Sequence, residues 1–238
     1  MPQEINGIPQ PPNVAISPTA VETRFLTRVY AWMAAGLAVT AAVALYTASN
    51  PQLLRAIFGN RFAFWGLALG QLALVAWLSG LVGRLSAFAA SGVFLLYSAL
   101  TGLTLSVVFI VFTSESLAST FVVSAATFGA MSAYGLATKR SLDGLGSFCF
   151  MGLIGVIIAW VVNMFLHSSM LAFVTSCVGV IVFVGLTAYD TRKLKMMAAV
   201  VDADSEEGRR GAVSGALALY LDFINLFLML LNLFGRRR

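Results

Sequence analysis

The stretch Ala212-Val-Ser-Gly-Ala-Leu-Ala-Leu-Tyr-Leu-Asp-Phe-Ile-Asn-Leu-Phe-Leu-Met-Leu-Leu-Asn-Leu-Phe234 decides the fold class of this protein. It is long enough and apolar enough to cross the roughly 30 Å hydrocarbon core of a bilayer as one helix. Near its middle stands one acid, Asp222. A carboxylate at that depth costs about 3 kcal/mol on insertion scales, so it needs a proton, a partner or water. The stretch therefore predicts a transmembrane helix that carries a functional acid.

Six further stretches have the same length and apolar character. They are Val29–Ala48, Phe62–Val82, Ala87–Phe112, Leu117–Ala137, Ser147–Leu166 and Met170–Tyr189. The whole chain is 59% hydrophobic and only 11% charged, with a mean hydropathy of +0.89, whereas soluble domains carry about 25% charged residues. We therefore predict an all-α membrane protein, a bundle of seven transmembrane helices in contact with the lipid bilayer, and no enzyme domain.

The distribution of polar residues predicts three regions. Residues 1–28 are polar and proline-rich and are expected to form a disordered N-terminal tail, residues 29–234 the transmembrane domain, and residues 235–238 a basic C-terminal tail. The segment Thr191–Gly211 mixes acids and bases and is expected to be a solvated loop. The net charge of +5 then reflects topology and contact with anionic headgroups rather than binding to nucleic acid.

The positions of Lys and Arg predict the orientation in the membrane. With the N-terminus in the cytoplasm, ten of the fifteen basic residues fall in cytoplasmic segments and five in periplasmic ones. Because positive residues concentrate on the cytoplasmic side, we expect a cytoplasmic N-terminus and a periplasmic C-terminus. Arg236–Arg238 fit this arrangement poorly, and a re-entrant last segment would return them to the cytoplasm. The sequence leaves both arrangements open.

Asp222 shares one helical face with small and polar residues, namely Gly215, Ala218 and Asn225. We predict that this face lines a pore in the bundle interior. A second acid, Asp190, ends the sixth span, and one loop joins its helix to the last one. If these helices are neighbours, two carboxylates meet in a poorly solvated place, share a proton and titrate as a coupled pair. Such a pair suits a gate, a proton relay or a protease.

Other reactive residue types carry no recognisable chemistry in this sequence. Cys149 and Cys177 lie inside apolar runs without a partner motif, which is typical of buried small side chains. His167 falls in a very short loop, where a solvated turn residue is expected. Serine-hydrolase, zinc-protease and phosphate-loop motifs are absent from the sequence. We predict neither a catalytic residue, a cofactor nor a resident metal.

Five stretches in order resemble the Bax inhibitor-1 family, also called transmembrane Bax inhibitor motif proteins, in a bacterial inner-membrane form. They are Tyr97-Ser-Ala-Leu-Thr-Gly-Leu-Thr-Leu105, Phe128-Gly-Ala-Met131, Thr138-Lys-Arg-Ser-Leu-Asp-Gly-Leu-Gly146, Val182-Phe-Val-Gly-Leu-Thr-Ala-Tyr-Asp190 and Ala218-Leu-Tyr-Leu-Asp-Phe-Ile-Asn-Leu-Phe227. The resemblance runs from about Arg24 to the end of the chain. It implies a seven-helix fold in which the other helices surround the last one, and a pH-sensitive calcium leak.

The resemblance also assigns roles to individual residues. Asp190 and Asp222 match the family's aspartate pair, the gate and pH sensor, which implies transient contacts with Ca²⁺. Arg84 matches an arginine that engages the sixth-helix aspartate, which implies an alternating latch. The sequence departs from some bacterial members at the second helix, which has no acid and instead carries Gln71 in its middle. The resemblance therefore does not extend to an acidic calcium ligand on this helix.

Three functions remain open on the sequence alone. The leading one is a pH-sensitive leak for a cation, Ca²⁺ above all. The second is a partner-binding regulator of a membrane protease or of a stress response, which would use the polar tail and the charged loop. The third is an intramembrane aspartyl protease, because Tyr189-Asp190 resembles its first motif; its second motif, Gly-x-Gly-Asp, is not met by Leu219-Tyr-Leu-Asp222.

Overall fold

Eight helices joined by short connections make up the described part of the chain. The computed structural model describes residues 18–81 and 85–238. The helices are α1 (Pro18–Ala48), α2 (Pro51–Phe58), α3 (Arg61–Leu81), α4 (Ala87–Val111), α5 (Ser114–Ala137), α6 (Asp143–Leu166), α7 (Ser169–Ala198) and α8 (Glu206–Phe234). All except α2 are long and apolar enough to cross a membrane. The predicted all-α bundle of seven spans is therefore confirmed.

Serine and threonine side chains cap the N-termini of four of the spans. In each case the side-chain oxygen accepts a hydrogen bond from a backbone N–H of the first turn, which would otherwise lack a partner. These caps are Ser86 for α4, Thr113 for α5, Ser168 for α7 and Ser205 for α8. Local chemistry thus places the breaks between apolar stretches that composition alone would not divide.

Helix α8 occupies the centre of the bundle. It packs against α1, α4, α5 and α7. Within the membrane-spanning segment of α8, 56% of the residues are buried, against 6% within that of α3. Helix α3 packs on α4 at the periphery. The central position expected for the last helix is confirmed.

Contacts at both ends of α8 show that it crosses the whole bundle. Just before α8, Asp204 pairs with Arg28 of α1 at 2.6 Å. Just after it, the backbone N–H of Arg236 donates to Ser116 Oγ of α5 at 2.9 Å. The 29 residues of α8 cover about 43 Å at about 1.5 Å per residue. We call the end where α1 begins the N-terminal end, and the end where α8 stops the C-terminal end. Because α8 is one continuous helix between these two ends, the last segment is not re-entrant.

The predicted tail over residues 1–28 is too long. Residues 1–17 lie outside the described part of the chain, but helix α1 already begins at Pro18. Arg24 and Arg28 make the start of α1 polar in sequence. Phe25 and Val29, however, are fully buried on the face that meets the bundle. The helix therefore continues past the apolar core of the span because one of its faces is still packed.

The predicted loop Thr191–Gly211 is also too long. Helix α7 continues to Ala198 because Leu194 and Ala198 are buried against the bundle, although Lys193 and Lys195 flank Leu194. Helix α8 then begins at Glu206, so the connection is limited to residues 199–205. Helix α2 was not predicted at all, because eight residues capped by Asn50 are too short to resemble a span.

Candidate functional site

Asp222 is the most deeply buried acid in the described part of the chain. It lies near the middle of α8 and is 5% exposed. Its Oδ2 atom is buried and has no hydrogen-bond partner among the described residues. A carboxylate oxygen in that position is costly unless a proton, a water molecule or a cation satisfies it. The structure thus places an unsatisfied acid inside the membrane domain.

The carboxyl group of Asp190 lies next to that of Asp222. The two groups interact directly across the contact between α7 and α8. We call them the aspartate pair. Two carboxylates in a medium of low dielectric constant cannot both ionise cheaply, so the pair binds and releases protons as a unit.

Glycines allow the helices to approach closely around the pair. A Cβ at Gly215 of α8 would clash with Leu194 of α7, and one at Gly146 of α6 would lie 2.5 Å from Tyr189 Cδ2. Both glycines lie at the level where a neighbouring helix crosses them. Their missing side chains bring α6, α7 and α8 together at the aspartate pair.

A cavity of about 740 Å³ extends from the aspartate pair toward the N-terminal end, between α6, α7 and α8. We call it the aspartate cavity. Its polar lining consists of Ser147, Tyr189, Asp190, Lys193, Ser214, Asp222 and Asn225, and its apolar lining includes Phe150, Met151, Phe183 and Leu186. Asp222 is therefore buried and Asp190 half-buried, and both border a space large enough for several water molecules.

The predicted pore-facing stripe is only partly placed on this cavity. Ala218 and Asn225 line it together with Asp222. Gly215 lies instead against Leu194 of α7 and is buried in a helix contact. Helical spacing groups residues on a face, but the neighbouring helices decide which part of that face borders open space.

Lys193 lines the aspartate cavity and was not among the predicted site residues. It lies one turn beyond Asp190 on α7, lines the same cavity, and its positive charge acts on that carboxyl. The three-residue spacing on one helix was the available signal. The lining of the aspartate cavity therefore carries a positive charge one turn from Asp190.

The latch expected of Arg84 falls on a residue outside the described part of the chain, and it stays a prediction. Gln71, on the same stretch of sequence, is placed. Its Nε2 donates to the backbone oxygen of Leu100 at 2.6 Å and to Thr104 Oγ1 at 3.3 Å. Gln71 therefore fastens α3 to α4 and does not reach the aspartate pair.

The cavity offers oxygen atoms to a cation without forming a complete metal site. Among the described residues, no group of three or more His, Cys, Asp or Glu side chains is arranged to hold a metal ion. The available oxygens include the two carboxyl groups and the side-chain oxygen of Asn225, whose Nδ2 donates to Leu221 O at 2.8 Å. Calcium takes six to eight oxygens at about 2.4 Å. Water would supply the remainder, which suits brief contact rather than residence.

A clasp of charged groups holds the α7–α8 connection at the N-terminal end. Asp204 pairs with Arg28 at 2.6 Å and with Arg24 at 3.5 Å, and Arg28 also donates to the backbone oxygen of Ala203. The hydrogen bond from Arg28 holds the pKa of the Asp204 carboxyl below its usual range. The backbone N–H of Ala87 donates to Glu206 Oε1 at 2.5 Å. The start of α8 is therefore tied to the starts of α1 and α4.

The chain is similar to known proteins along most of its length. The family model described as inhibitor of apoptosis-promoting Bax1 matches residues 22–238. The inner membrane protein YbhL of Escherichia coli (strain K12) is 52% identical over 224 residues, which cover 94% of this chain and 96% of that protein. Uncharacterised proteins of Deinococcus radiodurans and Borreliella burgdorferi are 45% and 44% identical, over 90% and 92% of this chain and 90% and 94% of their own lengths. The chain therefore belongs to the Bax inhibitor-1 family.

Proposed function

We propose that this protein is a pH-sensitive cation leak, with Ca²⁺ as the principal ion, gated by the aspartate pair. The observation that carries the proposal is the buried Oδ2 atom of Asp222, which has no partner among the described residues and stands beside a second carboxyl on a large cavity. A purely structural acid in lipid would be expected to have all its oxygens satisfied. An acid that exchanges protons and cations needs a free position.

The aspartate pair changes its interactions with its protonation state. With one shared proton the two carboxyl groups attract each other and hold α7 to α8. Loss of that proton replaces the attraction with repulsion and creates a site attractive to a divalent cation. Protons and Ca²⁺ therefore compete for the same oxygens. Ala218 and Asn225 line the route beside the pair, and Arg84 is proposed to engage Asp190 in the alternative state.

We place the protein in a bacterial inner membrane with the N-terminus in the cytoplasm. The E. coli relative is named an inner membrane protein, and the majority of Lys and Arg residues then face the cytoplasm. Since α8 crosses the bundle, the C-terminus is periplasmic in this arrangement. The aspartate cavity lies on the half of the bundle that faces the cytoplasm.

The test is Ca²⁺ flux into liposomes that hold the purified protein, measured from pH 6 to pH 8. The wild-type flux is expected to change with pH, and Asp222→Asn is expected to lose that dependence because Asn cannot exchange a proton. Asp143→Asn is the matched control, since it makes the same chemical change at an exposed residue of the first turn of α6. It should keep the wild-type pH profile.

Two results would contradict the proposal. A pH profile unchanged in Asp222→Asn would refute the role of the pair. Wild-type flux equal to that of empty liposomes at every pH would refute the leak and favour the partner-binding regulator. The regulator would then use residues 1–17 and the charged groups at the α7–α8 connection, of which Asp204 is paired with Arg28.

The adjacent aspartates on α7 and α8 also suit one alternative function, that of an intramembrane aspartyl protease, which can be tested. Intramembrane aspartyl proteases use paired aspartates, but the residues before Asp222 do not match their second motif. Cleavage of a transmembrane substrate by the wild type and not by Asp222→Asn would replace the leak with a protease. We expect no such cleavage.

A further inference from the structure

A second cavity lies between the same three helices at the opposite end of the bundle. It has a volume of about 310 Å³ and is lined by five polar residues, two aromatic residues and one alanine. The polar residues are Asn163 of α6, Ser169 and Ser176 of α7, Asn232 of α8, and Arg237; the others are Trp160 of α6 and Ala172 and Phe173 of α7. We call it the vestibule. Nothing in the proposed gate at the aspartate pair accounts for it.

The vestibule and the aspartate cavity lie on one continuous face of each helix. On α7 the lining runs from Ser176 in the vestibule to Phe183 in the aspartate cavity, seven residues apart. The same step of seven separates Asn232 from Asn225 on α8, and Trp160 from Leu153 on α6. Seven residues are two helical turns, or about 10 Å. On all three helices the cavity lining is thus interrupted at the same depth and over the same length.

Two contacts between neighbouring helices show that the segments without cavity lining pack against one another. Gly152 of α6 meets Val182 of α7, and Gly179 of α7 meets Met229 of α8. The Gly179–Met229 contact falls within the missing two turns of both helices, and the Gly152–Val182 contact lies at their edge, next to Leu153 of the aspartate cavity. The two cavities are therefore the ends of one route that is closed in the middle.

The closure consists of apolar side chains. Met229 is 4% exposed and lies on Gly179, where a Cβ would stand 2.8 Å from its Sδ atom. Val156 of α6 is 5% exposed at the same depth and belongs to the same apolar cluster. The absence of a side chain at Gly179 is what makes room for the thioether. We call Val156, Gly179 and Met229 the septum.

We propose that the septum is a second gate, in which Met229 seated on Gly179 separates the vestibule from the aspartate cavity. An apolar constriction blocks ions because water and its dissolved ions leave a narrow apolar passage. Methionine suits a movable closure, since its unbranched side chain has several rotatable bonds and adapts to irregular space. This inference rests on the proposed leak, and it adds a barrier that neither protonation of the pair nor Arg84 controls directly.

The test uses the accessibility of introduced cysteines, which requires no ion flux. In a background with Cys149→Ala and Cys177→Ala, Asn232→Cys and Asn225→Cys are exposed to a membrane-impermeant cationic thiol reagent. The reagent is applied to intact spheroplasts or to inverted membrane vesicles, so that each face of the membrane is tested. Asn232→Cys should react from the vestibule face only, and Asn225→Cys from the opposite face only.

Removal of the Met229 side chain should join the two cavities. Adding Met229→Ala should make Asn225→Cys reactive from the vestibule face, from background to a rate comparable with that from the other face. Met229→Val provides a milder truncation should the alanine variant not fold. Met164→Ala is the matched control, because Met164 is 52% exposed on the lipid-facing side of α6. It should leave the labelling pattern unchanged.

Labelling of Asn225→Cys from the vestibule face in the presence of intact Met229 would overturn the septum. So would an unchanged pattern in both folded Met229 variants. Ca²⁺ flux separates this inference from the proposed function, because Met229→Ala should raise flux at every pH and keep its pH dependence. New labelling without flux in any variant would leave the septum standing and refute the leak; pH-dependent flux with no effect of Met229→Ala would refute the septum alone.

Discussion

The hydroxyl groups of Thr40 on α1 and Tyr220 on α8 lie 2.7 Å apart in the bundle interior. Thr40 donates its own proton to the backbone oxygen of Ser98 on α4 at 2.9 Å, so Tyr220 is the donor in the contact between the hydroxyls. Tyr220 and Asp222 are two residues apart, which places them about 200° apart around α8. One side of the central helix is therefore fixed to α1 and α4 by hydrogen bonds, while the other borders the aspartate cavity.

Removal of the Tyr220 hydroxyl should weaken the bundle without changing the gate. Tyr220→Phe keeps the ring against Phe94 but leaves Thr40 Oγ1 without its donor, which costs about 1 kcal/mol. Thermal unfolding in detergent should show a lower Tm, while the pH midpoint of Ca²⁺ flux stays at its wild-type value. Tyr134→Phe, at an exposed position of α5, serves as the control. A shifted midpoint in Tyr220→Phe would show that the two sides of α8 are coupled.

The aspartate pair should behave as one titrating unit. Asp190→Asn and Asp222→Asn are each expected to abolish the pH dependence of flux, because either change removes the shared proton. The double variant should then resemble the single ones instead of adding their effects. Asp143→Asn combined with Asp222→Asn provides the comparison between distant acids. Additive effects of Asp190→Asn and Asp222→Asn would mean that the two carboxyl groups titrate independently.

The clasp at Asp204 should respond to acid but not to the pH range of the gate. Arg28 holds the pKa of Asp204 below its ordinary value of 3.8, so the folded state favours the charged form. The resulting stabilisation is present above that ordinary value and is lost as the pH falls through the lowered pKa. Between about pH 5 and pH 3 the Tm of the wild type should decrease more than that of Asp204→Asn.

Between pH 6 and pH 8 the Asp204 carboxyl stays ionised, so Asp204→Asn should retain the wild-type pH response of Ca²⁺ flux. Loss of that response would transfer the sensor from the aspartate pair to the clasp. The effect on Tm should also decrease with added salt, because the ion pair is exposed.

Close contact between α6 and α7 should make Gly146 of α6 much less tolerant of an added side chain than Gly155 of the same helix. In Gly146→Ala the new Cβ would overlap the ring of Tyr189, next to Asp190, whereas in Gly155→Ala it would meet nothing within 4 Å. Overpacking of this kind costs about 1–3 kcal/mol. Thermal unfolding should therefore show a large decrease in Tm for Gly146→Ala and little change for Gly155→Ala. Similar Tm values for both would show that α6 moves away at small cost.

The number of spans could be predicted because it depends on the length of apolar stretches alone. The ends of α1 and α7 could not, since Phe25 and Leu194 extend their helices through contacts with other helices. Hydropathy averages a whole turn and does not register one buried face among charged neighbours. Helix α2 was missed for another reason, since eight residues are too short to resemble a span.

The aspartate pair could be predicted because one connection joins the helices of Asp190 and Asp222. The roles of Gly215 and Met229 could not. Both depend on the register between α7 and α8, which places Leu194 opposite one and Gly179 opposite the other. No pattern within a single helix contains that register. The vestibule was therefore not visible in the sequence either.

The central position of α8 has a consequence for how the protein is made. Chains are synthesised from the N-terminus, and helices enter the membrane in that order. α8 is the last of the seven spans, yet it is the common neighbour of α1, α4, α5 and α7. Of its neighbours, α1 and α4 contact each other and can pair early, as can α5 and α7. Although α1 and α7 also contact each other, a ribosome that stalls before α8 leaves a bundle without the helix against which all four of these helices pack.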